Sequence, residues 1–187
     1  MKRKRWTALL PEEEKRVLNA VMAILGDDVL EPSDDTDCFH VQVRPGARIS
    51  GVNLQRIAEF PRNISLHGHA MTVYFTETDE LRELEKASLA RRNLRAGGLQ
   101  LQPHTIKLPE ATKVSLDIIT RQLATAIDCD NCRAFVSRPG KYSVVASVKD
   151  ILLLSELTEL IKSLAALPIV VQCDFSEPEV LLLTVDI

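Results

Sequence analysis

Apolar residues recur at helical spacing in four stretches of the chain. In "LPEEEKRVLNAVMAIL" (residues 10–25), Val17, Leu18, Val21, Ile24 and Leu25 form one stripe, which predicts an amphipathic helix. In "LPEATKVSLDIITRQL" (108–123) and the residues after it, Leu116, Ile119, Leu123 and Ile127 do the same. Both open on Leu-Pro-Glu. Pro11 and Pro109 sit where a first-turn proline loses no hydrogen bond, and Glu12 and Glu110 favour the positive end of the helix dipole. "NLQRIAEF" (53–60) predicts a shorter helix with Leu54 and Ile57 inward. "DILLLSELTELIKSLAAL" (150–167) predicts a longer one on Leu153, Leu157, Leu160, Ile161 and Leu164.

Between the helices the pattern is extended. "DDTDCFHVQVRPGARISGV" follows the first helix and "DCDNCRAFVSRPGKYSVVASV" the third. Asp34/Asp128, Cys38/Cys132, Arg44/Arg138, Pro45/Pro139 and Gly46/Gly140 align at a constant offset of 94. Pro-Gly suits the centre of a type II turn, so these read as hairpins, 38–43 with 47–52 and 132–138 with 141–148. "NISLHGHAMTVYF" predicts a hairpin turning near Gly68, and "IVVQCDFSEPEVLLLTVDI" one turning at 176–179. The expected architecture is therefore α+β, with two pseudo-repeated helix–hairpin–helix–hairpin units and antiparallel sheets carrying helices on one face. Residues 1–76 form the first unit and 99–187 the second. The connector, 77–98, is charged and helix-prone until Gly97-Gly98, and 99–107 reads as a strand leading into the second unit.

Composition narrows the function classes. The 187 residues are 45% hydrophobic and 26% charged, with a net charge of −3. That excludes a wholly basic nucleic-acid coat but not a local basic face. No run is long and apolar enough to span a membrane. The basic start "MKRKRW" leads into a segment broken by Glu12, Glu13 and Glu14 rather than an apolar signal core, so an intracellular protein, nuclear or cytoplasmic, is expected. Cys38, Cys129, Cys132 and Cys173 are then free thiols. "CDNC" has zinc spacing, but its one candidate partner pair is His67 and His69, and neither metal nor cofactor is expected. Asp27, Asp28, Asp34, Asp35 and Asp37 lack the calcium-loop pattern and read as solvated turns. No phosphate loop, nucleophile elbow or dinucleotide fingerprint occurs, so a non-catalytic protein is expected. An enzyme would need His40, His67, His69, Cys129 and Cys132 to converge.

On the faces left outside the apolar stripes lie Lys15, Arg16 and Asn19, then Arg56, then Lys113, Asp117 and Arg121, then Lys162 with Glu156 and Glu159. With "EKRVLNAVMAIL", "GVNLQRIAEFPRNISL", "TIKLPEATKVSLDIITRQLATAI" and the closing residues 148–187, this layout resembles the DNA sliding clamps, of the proliferating-cell-nuclear-antigen and checkpoint-clamp types. Those chains also duplicate a helix-and-sheet module. The short stretch 26–51 and the helix-prone connector make it a shortened or divergent relative. The resemblance implies a scaffold in DNA replication or repair, working in a homo- or hetero-oligomeric ring with protein partners. Lys15, Arg16, Arg56, Lys113, Arg121 and Lys162 would touch the phosphates of duplex DNA without reading bases. Leu81, Leu84, Leu89 and Leu94 of the connector would meet partners. Two alternatives stand beside it: a protein–protein assembly module without nucleic acid, and an enzyme of unknown type built on the histidine- and cysteine-bearing hairpins.

Overall fold

The computed structural model describes residues 10–30, 32–93, 117–119, 121, 131–138, 141–164, 169–173 and 179–186. Helix α1 spans Glu12–Leu25, with Val17, Leu18 and Val21 buried. It stops at Gly26, whose φ of 70° is open to glycine but strained for other residues. Strands β1 (Ser33–Asp34), β2 (Cys38–Gln42) and β3 (Arg48–Ser50) follow. β3 runs without a break into α2, Gly51–Ala58, because the Ser50 side chain accepts a hydrogen bond from the Asn53 N–H at 3.2 Å and caps the helix. Strands β4 (Asn63–His67) and β5 (Ala70–Tyr74) then lead to α3, Asp79–Asn93. After helical residues at 117–119 and 121 come β6 (Asn131–Arg138), β7 (Lys141–Val148) and β8 (Leu152–Leu153). β8 runs directly into α4, Leu154–Ser163, and β9 (Ile169–Cys173) and β10 (Leu181–Asp186) close the chain.

The strands form two five-stranded antiparallel sheets. Sheet 1 has the order β1-β2-β5-β4-β8, and sheet 2 the order β6-β7-β10-β9-β3. Each sheet therefore ends on a short strand from the other stretch of the chain. Leu152 and Leu153 pair with Leu66 and Ser65, while Arg48, Ile49 and Ser50 pair with Gln172, Val171 and Val170. Alternation sets the buried faces: Phe39, Val41, Ile64, Leu66, Met71 and Val73 in sheet 1, and Val144, Ala146, Val148, Leu181, Leu183 and Val185 in sheet 2. Against them pack the stripes of α1, α2 and α4 and Ile119, giving one continuous core. Helix α3 lies on the opposite face of sheet 1, where Leu81 and Leu84 meet Cys38, Tyr74 and Leu153.

The α+β class, the antiparallel sheets and the hairpins β4–β5, β6–β7 and β9–β10 agree with the pattern read from the sequence. The expected hairpin of 38–43 with 47–52 does not form. Pro45-Gly46 does make a tight turn, with Gly46 at φ 78° and the Ala47 N–H donating to the Arg44 carbonyl at 3.0 Å. That turn joins β2 of sheet 1 to β3 of sheet 2, so its two arms never pair. Residues 139–140 instead connect two strands bonded to each other, so the offset of 94 matches letters and not strand positions. The last helix begins at Leu154 rather than 150, because Leu152 and Leu153 are taken up by sheet 1. The strand expected at 99–107 lies outside the described residues.

A buried charge fixes α1. Glu14 is 6% exposed, although its neighbours Glu12 and Glu13 are solvated. Its carboxylate accepts from Arg62, at 2.6 Å from Nη2 and 3.2 Å from Nε, and Arg62 also donates to Glu13 at 3.1 Å and to the Pro61 carbonyl at 2.8 Å. These bonds tie the first turn of α1 to the segment between α2 and β4 and hold the Arg62 guanidinium further above its ordinary pKa. Glu14→Ala leaves Arg62 without its main partner and should cost about 2 kcal/mol. That is less than the ~3–5 of a fully enclosed pair, since Arg62 keeps some solvent contact. Glu13→Ala, at an exposed position, should cost under about 1 kcal/mol. Urea unfolding of the two variants measures the difference.

Candidate functional site

The helix side of the molecule carries the expected cationic positions. On α1, Arg16 is exposed and Lys15 is half-buried, its Nζ 2.7 Å from Glu12. On α2, Arg56 is exposed, as are Val52 and Glu59. On α4, Lys162 is exposed beside Ser155 and Glu159. Arg121 is also exposed, while Lys113 lies outside the described residues. Helix α2 packs against both α1 and α4, so Arg16, Arg56 and Lys162 stand on adjoining helices. Acids stand there too: Glu12, Glu13, Glu59 and Glu159 are all exposed. The described outer positions of these three helices are thus mixed in sign.

Glu156 is not among those acids. It was expected on the solvent face of α4 but is 2% exposed. Its carboxylate receives two bonds from Arg91 of α3, Nε to Oε1 at 2.7 Å and Nη2 to Oε2 at 2.9 Å, and Nη2 also donates to the Ile151 carbonyl at 3.2 Å. Placement in the first turn of α4 adds the favourable helix dipole. The connector leucines divide in the same way. Leu81 is 1% exposed in the small core under α3 and so presents no face to a partner, while Leu84 is partly buried against the same cluster. Leu89 is 59% exposed, and Leu94 lies outside the described residues.

A groove of about 430 Å³ opens between α2 and α4. Ile64, Leu153, Leu154 and Ala58 give it an apolar part, and Gln55, Glu59, Asn63, Ser155, Thr158 and Lys162 a polar one. Arg62 also lines it, but its donors are engaged by Glu13, Glu14 and Pro61. The groove offers an exposed acid, Glu59, and an exposed base, Lys162.

The histidine- and cysteine-bearing face of sheet 1 is arranged differently. His40 stands between Cys38, with Nε2 at 3.6 Å from Sγ, and Thr72, with Nδ1 at 2.9 Å from Oγ1. A thiol beside an oriented imidazole has the outline of a nucleophile and its base. The electrostatics oppose that use. Burial, then Asp35, Glu80 and Asp37, push the Cys38 thiol up to about 11, so it stays protonated near neutrality. His67 lies half-buried on β4 and His69 in the turn after it, and Cys129 is outside the described residues. Among the described residues no three metal-binding side chains gather.

No protein-family model matches the chain, and no curated protein matches it. No helix among the described residues is long and apolar enough to cross a membrane. Two of the structural ties, Arg91–Glu156 and Arg62–Glu14, span 65 and 48 positions of the chain, and neither pairing was read from the sequence.

The Cys38 environment has a stability signature. Its folded pKa lies above the unfolded value of 9.0, so the folded state holds the proton more tightly. The contribution is complete below pH 9 and is lost as pH rises from 9 toward 11. The stability advantage of wild type over Cys38→Ala should therefore shrink between pH 8 and about pH 10.5. Paired urea titrations at the two pH values read it directly.

Proposed function

We propose that the chain is a non-catalytic scaffold of clamp-like build that acts by holding protein partners. The observation that carries this reading is the reciprocal exchange of β3 and β8, each leading straight into a helix on the same side of the two sheets. It supports an internal duplication in which β1, β2, β3, α2, β4 and β5 correspond to β6, β7, β8, α4, β9 and β10. Phe39, Val41 and Val43 would then align with Val144, Ala146 and Val148, at a shift of 105 positions. A duplicated helix-and-sheet module is what the resemblance to sliding clamps implies, with a role in replication or repair as one member of a ring. The mixed signs along the outer helix faces support selective pairing with proteins over attraction to a polyanion. The protonated Cys38 beside His40 supports a role without nucleophilic chemistry.

Arg16, Arg56 and Lys162 on adjoining helices favour a second reading, in which the same side also rests on duplex DNA. Such contacts would engage phosphates and be indifferent to sequence. Both readings meet one experiment: binding of the chain to duplex DNA across a salt series, beside its sedimentation as a function of concentration. If DNA is a ligand, affinity falls steeply with salt, and replacing Arg16, Arg56 and Lys162 together by Ala lowers the slope by up to about 2.7, at roughly 0.9 for each phosphate contact. No DNA binding at low salt leaves the protein-assembly reading alone. A strictly monomeric chain that also captures no partner ends the scaffold proposal.

A further inference from the structure

We propose that α3 is a detachable strap, locked over the outer face of sheet 1 by the Arg91–Glu156 pair and able to open while the two-sheet core stays folded. This inference stands independently of whether the chain binds DNA.

Among the described side chains, the attached face of α3 carries two large apolar residues, Leu81 and Leu84. Leu81, Leu84, Ser88 and Arg91 follow one another at helical spacing along it. Leu81 is buried and Leu84 is partly buried, and both join the small cluster with Cys38, Tyr74 and Leu153. Ser88 is 2% exposed, and among the described residues its hydroxyl is the buried side-chain polar atom that lacks a hydrogen-bond partner. An orphaned buried hydroxyl disfavours docking. Elsewhere on the described helix surface Arg82 pairs with Glu77 and Asp79 and Lys86 with Glu83 at exposed positions, Ala87 is half-buried, and Glu80 near the start of the helix is hydrogen-bonded to Tyr74. Among the described side chains, attachment at the far end falls to Arg91, whose side chain is 9% exposed against 1% for that of Glu156. At the near end the Thr78 side chain caps the helix by accepting from the Leu81 N–H at 3.1 Å. Just before it, Phe75 and Thr76 are bonded to Asp37, so the chain is anchored to the bend that precedes β2 at the point where a hinge would lie.

An ionic lock suits a reversible attachment. A buried pair contributes little over a well-packed apolar substitute, but loss of one partner leaves an uncompensated buried charge and releases the contact. Opening would bare Cys38, which is 8% exposed. It would also remove both its burial and Glu80, two of the causes that keep its thiol protonated. Cys38 is thus a built-in reporter: when the strap lifts, the thiol becomes accessible and ionises more readily.

The test uses the full chain with Cys129, Cys132 and Cys173 replaced by Ser, and measures reaction of Cys38 with an aromatic disulfide reagent at pH 8 over a low-urea series. Local opening predicts a rate almost independent of urea, whereas access through global unfolding would rise with the full slope of the unfolding transition. Glu156→Gln is expected to raise the rate at least about tenfold, a change equivalent to about 1.4 kcal/mol. Arg91→Met with Glu156→Met, which restores an apolar contact, is expected to return the rate to within about threefold of the parent. A urea slope in the parent equal to that of global unfolding would overturn the proposal, and the cooperative urea transition recorded on the same triple-serine parent verifies that it is folded before its slope is read. An unchanged rate in a folded Glu156→Gln protein would overturn it equally.

Discussion

Neither sheet is complete without a strand from the other part of the chain. β8 is two residues long and β3 is three, too short to persist without the neighbours they meet in the opposite sheet. Each continues into a helix with no intervening loop, so the start of α2 is placed by sheet 2 and the start of α4 by sheet 1. The two helices are thereby brought together over the junction, and α2 packs directly on α4. A single apolar core follows from this crossing, because α2 packs on β3 and β9 of sheet 2, α4 packs on β4 and β8 of sheet 1, and Leu54, Ile57, Leu157 and Ile161 of the two helices join one cluster. The closure of long loops that it requires costs conformational entropy slowly with length, whereas the core it creates grows with every strand added.

Buried charge appears where the crossing needs a fixed geometry. Arg91 bonds both the Glu156 carboxylate and the Ile151 carbonyl, so it grips the chain on either side of β8. Arg62 holds Glu14 and the Pro61 carbonyl, at the exit from α2. Neither pair need add much net stability, since desolvation offsets much of the Coulombic gain. Their directional bonds restrict how α1 and α3 can seat, which apolar contacts of similar size do not.

How much of this could be read from the sequence depends on the range of the interaction involved. Helical periodicity is local, and it identified α1, α2, α4 and their buried stripes to within a few residues. Hairpins with strands joined by short turns were equally local, as in β4–β5 at Gly68. Pro45-Gly46 shows the limit. The dipeptide correctly marked a chain reversal, yet a reversal does not specify that its two arms pair, and here they enter different sheets. Alternating burial likewise says which face of a strand is inward and nothing about which strand lies beside it. Glu156 was misplaced for the same reason: a charge on an amphipathic helix reads as solvated unless its partner is known, and Arg91 is 65 positions away. The resemblance to clamps makes Leu81 a partner contact because it lies in the connector, but charge on the other sides of a helix leaves one face free to dock on its own sheet, and Leu81 is on that face. The exposed Arg16, Arg56 and Lys162 were legible because each is polar at a position opposite an apolar stripe.

The placement of polar groups separates the two faces of the molecule by what each can still bind. On the outer face of sheet 1, His40 is engaged by Thr72 and Cys38, Ser65 lies 3.4 Å from the Tyr74 hydroxyl, and α3 covers one end. These groups satisfy one another, and the burial that raises the Cys38 thiol also raises Tyr74, so both hold their protons. On the helix side, by contrast, Glu59 and Lys162 border a groove with an apolar part formed by Ile64, Leu153 and Leu154. An apolar floor with charges of both signs at its rim favours a ligand of matching pattern and penalises one that sets like charge against either. In the scaffold proposed above, that combination would let the surface discriminate among protein partners. It also ties recognition to architecture, because Leu153 and Leu154 reach the groove at the very point where β8 leaves sheet 1 and becomes α4.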